Sequence, residues 1–233
     1  MNRDISGQAM VETIIVMFVT LLLLFGIIQF GLLYNAKTVL NYATFEAARA
    51  ASLNYGSPKA IDYALARSLG SLVSSSGSSQ HERYQNSQTK VLDLIDDDDV
   101  ICVERINPPA NSPHWLPDSA AGNDYRNYIP NDHLRYRSAQ LKQGMSIQDA
   151  NLLKIRVTYC HKVIVPFYSR VLQRLMVARE ISNDPDPIPD YKAPNLGSFA
   201  EQCFLNDRVP IESQAIMRMQ TSIRDYTFPT SCQ

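Results

Sequence analysis

The chain has 233 residues, a formal net charge of -1 and a pI near 6.4. That length holds one medium domain with an appendage, or two small ones. The charge balance gives no basic patch or stripe, so nucleic-acid binding is excluded as the leading function.

Hydrophobicity is unevenly placed. Met1–Gly7 (MNRDISG) is a short polar leader ending in glycine. Thr13–Tyr34 (TIIVMFVTLLLLFGIIQFGLLY) then runs 22 residues without a charge, against the roughly 20 a helix needs to cross a hydrocarbon core. Thr13, Thr20 and Gln29 are its mild polar members, and Tyr34 suits the membrane–water interface. A cleaved secretory signal has a shorter apolar core and a small-residue cleavage site; here the following residues continue a helical pattern instead.

Glu12 lies five residues after Gly7, at the edge of the apolar run. A carboxylate at that depth loses hydration and needs a partner. Cleavage between Gly7 and Gln8 would create one, the new amine of a neighbouring subunit. Glycine before the cut lets a membrane protease approach the backbone closely.

These residues resemble the start of the TadE-like minor pseudopilins of tight-adherence (Flp) pilus systems. The shared features are Gly7 and Glu12, the apolar helix ending in Phe30-Gly31-Leu32-Leu33-Tyr34, and the following Glu46-Ala47-Ala48-Arg49-Ala50. The resemblance is strongest over Gly7–Ser52, and Val209–Gln220 resembles the family's closing strand. It implies processing at Gly7–Gln8 by an aspartic prepilin peptidase and assembly through Glu12. It further implies a place in the bacterial inner membrane with the amino terminus cytoplasmic. The partners implied are other pilin-like subunits and the pilus assembly platform, with a role in surface adhesion. The expected divisions are a leader at 1–7, a transmembrane helix with its outward extension at 8–53, and an extracytoplasmic domain at 54–233. The rival reading is an uncleaved membrane-anchored binding or scaffold module of an envelope complex, which needs the same helix but neither Gly7 nor Glu12.

Beyond the apolar run, Ala36, Val39, Leu40, Ala43, Ala47 and Ala50 recur at helical spacing, so the helix is expected to reach about Leu53. Asn54–Pro58 breaks it. Ser57 and Pro58 open a second helix whose apolar face is Ile61, Ala64, Leu65, Ser68, Leu69 and Leu72. Ser74–Ser79 reads as a flexible loop.

Lys90–Ile95 and Val100–Ile106 read as a strand pair around Asp96–Asp99. Four consecutive carboxylates lack the spacing of a calcium loop, so a solvated turn is expected. Asn107–Asp132 is a long surface excursion holding Trp115, with His114, Tyr125 and Tyr128 nearby; Trp115 is expected to anchor it onto the domain, the alternative being an adhesive or partner-binding aromatic patch. Leu152–Val165 is the best strand, with Leu153, Ile155, Val157, Tyr159, His161 and Val163 in one row. His161 is read there as a hydrogen-bonded structural histidine. Phe167–Arg179 has the spacing of an amphipathic basic helix packed on the sheet, and Asp184–Pro194 resists regular structure. Val209–Gln220 closes as a strand.

The expected fold is α+β: a long transmembrane helix continuing into a small, mainly antiparallel sheet domain with packed helices. Four cysteines, Cys102, Cys160, Cys203 and Cys232, lie downstream of the apolar run, as two disulfides in an oxidising compartment would. Three pairings are open; Cys102–Cys160 across strands with Cys203–Cys232 in the tail is the one expected. No metalloprotease, nucleophile-elbow or phosphate-loop motif is present. The expectation is a protein without enzymatic activity, cofactor or metal.

Overall fold

The computed structural model describes residues 5–73, 75–96, 100–117, 127–164, 199, 202–203, 206 and 208–228, with 5–9 as backbone only. Phe167–Arg179, Asp184–Pro194, Asp97–Asp99, Tyr125 and Cys232 lie outside these residues.

One helix dominates the architecture. Helix α1 runs from Ile5 to Leu53, 49 residues without a break. It ends where Tyr55 and Gly56 take positive φ angles of 57° and 74°. The Gly56 N–H donates to Ala51 O at 2.8 Å, closing the helix end. A side chain at Gly56 would sit 2.8 Å from Ile223 Cγ1, so the turn needs glycine for both backbone and space. Helix α2 (Pro58–Leu69) follows, with Ser57 at its amino-terminal cap and proline in its first turn, as expected. It buries Ile61, Leu65, Ala66 and Leu69 and packs back along α1.

Helix α3 spans Gln80–Asp96, which corrects the strand expected at Lys90–Ile95. The Glu82 N–H donates to Ser79 Oγ at 3.1 Å, and the Glu82 carboxylate accepts from the Ser78 N–H at 2.8 Å. Such reciprocal bonds satisfy amide groups that a helix start otherwise leaves orphaned. The helix thus nucleates ten residues upstream of the supposed strand, and Ser87 and Val91, four apart, become its buried face.

The sheet has the order β1-β3-β4 and is wholly antiparallel. Its strands are β1 (Ile101–Asn107), β3 (Leu152–Lys162) and β4 (Arg208–Arg218). Glu104 faces Arg156 in register, and the pair is linked at 3.5 Å. A second, two-stranded ribbon joins β2 (Tyr128–Ile129) to β5 (Ile223–Arg224). A short helix α4 (Ile147–Ala150) precedes β3, with a capping box between Ser146 and Asp149.

β3 is central. Leu153, Ile155 and Val157 are fully buried and Tyr159 nearly so, which matches the expected row. The opposite row, Lys154, Arg156, Thr158, Cys160 and Lys162, is the more polar one in sequence, yet Thr158 and Cys160 are also buried. A disulfide from Cys160 to Cys203 brings the chain near Phe199 and Cys203 into the core, so both faces of this end of the strand are covered.

The excursion after β1 is anchored by Trp115, as expected. Its indole N–H donates to Pro109 O at 3.1 Å, and its ring lies 5.4 Å from the Arg105 guanidinium. Phe228 takes the other contact with that guanidinium, at 5.0 Å. Arg105 is 4% exposed and pairs with Asp225 at 3.1 Å. One buried cation therefore clasps the excursion, β1 and the carboxy-terminal stretch. Removing the Asp225 carboxylate would leave that cation uncompensated. Asp225→Ala is expected to destabilise the fold by about 3 kcal/mol in urea denaturation of the detergent-solubilised protein.

A cleft of about 280 Å³ between α2, α3 and β1 is lined by Pro58, Asp62, Ile95, Asp96, Ile101, Val103 and Phe228. Burial, and then the neighbouring Asp96 carboxylate, push Asp62 up to about 6. Its ordinary value is near 3.8, so the folded state holds a proton there that the unfolded chain has lost. Stability from this group is full below pH 3.8 and is lost as pH rises through about 6. Asp62→Asn is therefore expected to raise the melting temperature at pH 8 and to change it little at pH 4, as thermal scans at the two pH values would show.

Candidate functional site

Helix α1 is divided by burial. Every residue from Met10 to Phe25 is exposed; Met10 is 72% and Leu23 64% exposed. From there on one stripe is covered: Gly26, Gln29, Ala36, Leu40, Ala43, Ala47 and Ala51 are buried. Their spacing of three and four residues, with Leu33 partly covered between Gln29 and Ala36, keeps them on one side of the helix. From Leu40 onward this stripe joins one core cluster with Leu153, Ile155 and Val157 of β3 and with Ile61 and Leu65 of α2. Four alanines on the stripe let the sheet approach the helix backbone closely.

The packed half is tied at both ends. Lys37 Nζ donates to Glu212 O of β4. At the far end, Ser52 O accepts from Gln220 N at 3.1 Å and Thr221 N at 3.3 Å, and Tyr55 N donates to Thr221 Oγ1 at 3.0 Å. Buried hydroxyls are satisfied within the helix: Thr44 Oγ1 donates to Leu40 O and Ser52 Oγ to Arg49 O, both at 2.7 Å.

The exposed half is apolar on every side. It is long and apolar enough to cross a membrane, with a mean hydropathy of 2.7 in its best window. Side chains apolar all round need either a protein interior or lipid, and this half has no interior of its own. Thr20 is accommodated by donating to Val16 O at 2.8 Å, and Gln29 lies on the covered stripe, 1% exposed.

Gly7 and Gln8 lie in the first turns of α1, and Glu12 is on its exposed part. Gly7–Gln8 and Glu12 thus share a continuous helix, one to two turns apart, ahead of the exposed apolar stretch.

The cysteines are corrected in their pairing. Cys160 is bonded to Cys203, with Cα atoms 5.4 Å apart, and not to Cys102. The register explains this: Cys102 faces Thr158, two residues away from Cys160, and such diagonal neighbours stand about 7 Å apart or more, beyond ordinary disulfide reach. Cys102 is also disulfide-bonded, to a residue outside the described ones.

His161 is half-buried and packs edge-on against Tyr159, with ring centroids 5.9 Å apart. Neither ring nitrogen has a hydrogen-bond partner among the described residues, which corrects the expected hydrogen-bonded histidine. Burial and then the Arg208 charge hold its pKa below the usual value, so the ring is neutral at pH 7. No group of three or more His, Cys, Asp or Glu that could hold a metal occurs among the described residues.

The site is therefore a surface, the exposed apolar half of α1 with its acidic head. The comparisons with known proteins address the same stretch. Residues 7–49 match the family model described as TadE-like protein. No curated protein and no solved structure matches the chain. The match begins at Gly7 and ends within the packed half of α1, so both halves of that helix carry a TadE-like segment.

Proposed function

We propose that this protein is a pilin-like subunit for assembly of a tight-adherence pilus, inserted in the bacterial inner membrane by α1 and processed by an aspartic prepilin peptidase. The observation that carries the reading is the division of α1 into a half that is apolar on all sides and a half packed into its own domain. The family match to residues 7–49 supports the link to the Tad pilus.

In this reading the amino terminus is cytoplasmic and the sheet domain lies outside, where both disulfide-bonded positions, Cys160 and Cys102, are at home. The peptidase cuts between Gly7 and Gln8, removing seven residues. The freed amine of one subunit meets the Glu12 carboxylate of the next. In hydrocarbon the attraction is weakly screened, so the pair both neutralises a costly charge and sets the axial register between subunits. The exposed apolar faces then pack helix against helix as the subunit leaves lipid for the assembly. The protein is the substrate of the peptidase and a structural component, supporting surface adhesion through the assembled fibre.

Intact-mass analysis of membrane-extracted protein from cells with the active peptidase should find a chain beginning at Gln8. Gly7→Ala should accumulate at full length. Glu12→Gln should insert and be cut, yet lose pilus assembly. An intact Met1 beside an active peptidase, or full assembly by Glu12→Gln, would favour the uncleaved scaffold instead.

A further inference from the structure

We propose that the end of the sheet formed by Lys162, Ile164 and Arg208 is a docking surface for the anionic phospholipid headgroups of the membrane that α1 crosses. The inference rests on the reading of α1 as membrane-spanning and adds a second contact between protein and bilayer.

The argument is one of levels along α1. β4 runs parallel to the helix: Lys37 reaches Glu212 near one end, and Ser52 meets Gln220 near the other. From Glu212 back to Arg208 is four residues, or about 13 Å of strand. That distance is roughly nine residues of helix at 1.5 Å each. Arg208 therefore stands near the level of Ile28, well inside the apolar run.

The stretch exposed on all sides, Met10–Phe25, has 16 residues and spans about 24 Å, short of the roughly 30 Å of a hydrocarbon core. By the level of Arg208, the base of the sheet lies about 24 Å along the helix from Glu12, some 6 Å short of the far edge of such a core. The long side chains of Lys162 and Arg208 can span that gap to the phosphate layer.

The chemistry of that base suits the place. Lys162 pairs with Arg208 in register across β3 and β4, ending the sheet in two cations side by side. Lys162 is exposed, and Ile164 just beyond it is 67% exposed. Arg208 Nη1 reaches Cys160 O at 3.4 Å, which leaves the rest of its donor fork for another acceptor. Along β4 the nearest described carboxylate is Glu212, four residues further from the base. Two cations with an adjacent exposed isoleucine match a phosphate layer lying over hydrocarbon.

The full chain would be reconstituted into vesicles of phosphatidylcholine alone and of equimolar phosphatidylcholine and phosphatidylglycerol. Lysines are then labelled with a membrane-impermeant amine reagent and quantified by peptide mass spectrometry. Lys59 and Lys142, exposed and distant from the base, serve as internal references. Labelling of Lys162 relative to these is expected to fall about fivefold in the anionic vesicles, the change that one headgroup contact per basic residue supports. Arg208→Gln should lessen that protection. An equal Lys162 ratio in both vesicle types, with the chain resisting carbonate extraction, would overturn the docking surface and leave the spanning helix intact. Release of the chain by carbonate would overturn the spanning reading and the docking surface with it.

Discussion

The close contact between α1 and the sheet, made along a stripe of small residues, is the constraint on which the rest of the structure depends. Ala36, Ala43, Ala47 and Ala51 are each fully buried, with Leu40 as the one large side chain among them. A helix presenting alanine gives up little side-chain entropy and allows the strands to sit close. That contact fixes the direction of β4, and through β4 the positions of β3 and β1. It also holds the domain beside the helix, so that the sheet lies alongside α1 from Lys37 and Leu40 outward.

The same helix faces two solvents. Its first half exposes apolar side chains in every direction, while its second half is amphipathic and anchored. A change of this kind within an unbroken 49-residue helix ties the position of the domain to that of the exposed half, since the domain cannot move along the helix without unpacking the alanine stripe. In the proposed assembly, any shift of one helix against a neighbour would be transmitted to the domain as a rigid displacement. The buried Arg105, held by Asp225, Trp115 and Phe228, plays the corresponding part at the opposite edge of the sheet, on β1. There it fastens the excursion and the carboxy-terminal stretch to β1.

Much of this was legible in the sequence because the strongest signals are periodic. The apolar run, the alanine spacing after Tyr34, the Ser57-Pro58 helix start and the alternation in β3 and β4 all gave the observed elements. Lys90–Ile95 was misread because a short apolar run fits strand and helix alike. The deciding signal lay eight residues upstream of Lys90, in Ser79-Gln80-His81-Glu82, which has the S-x-x-E form of a capping box. Ser146-Ile147-Gln148-Asp149 carried a similar signal for α4. The cysteine pairing was out of reach for a different reason: it depends on strand register, and a two-residue offset places Cys102 opposite Thr158. The clasp around Arg105 joins residues 120 apart in sequence, which no local pattern encodes. Gly7, Gln8 and Glu12 stand out only through the resemblance they carry, since a glycine and a glutamate five residues apart specify little alone, and their roles belong to the proposed function.

The central claim is that α1 passes from a lipid- or partner-facing half to a domain-facing half at Gly26. It is tested most directly by placing a nitroxide amino acid at single positions from Met10 to Leu53 of the reconstituted chain and measuring its accessibility to oxygen. The account predicts high accessibility at every position up to Phe25. From Gly26 onward it predicts a helical period, with minima at Gln29, Ala36, Leu40, Ala43 and Ala47. A helical period already present between Met10 and Phe25, or none beyond Gly26, would contradict it.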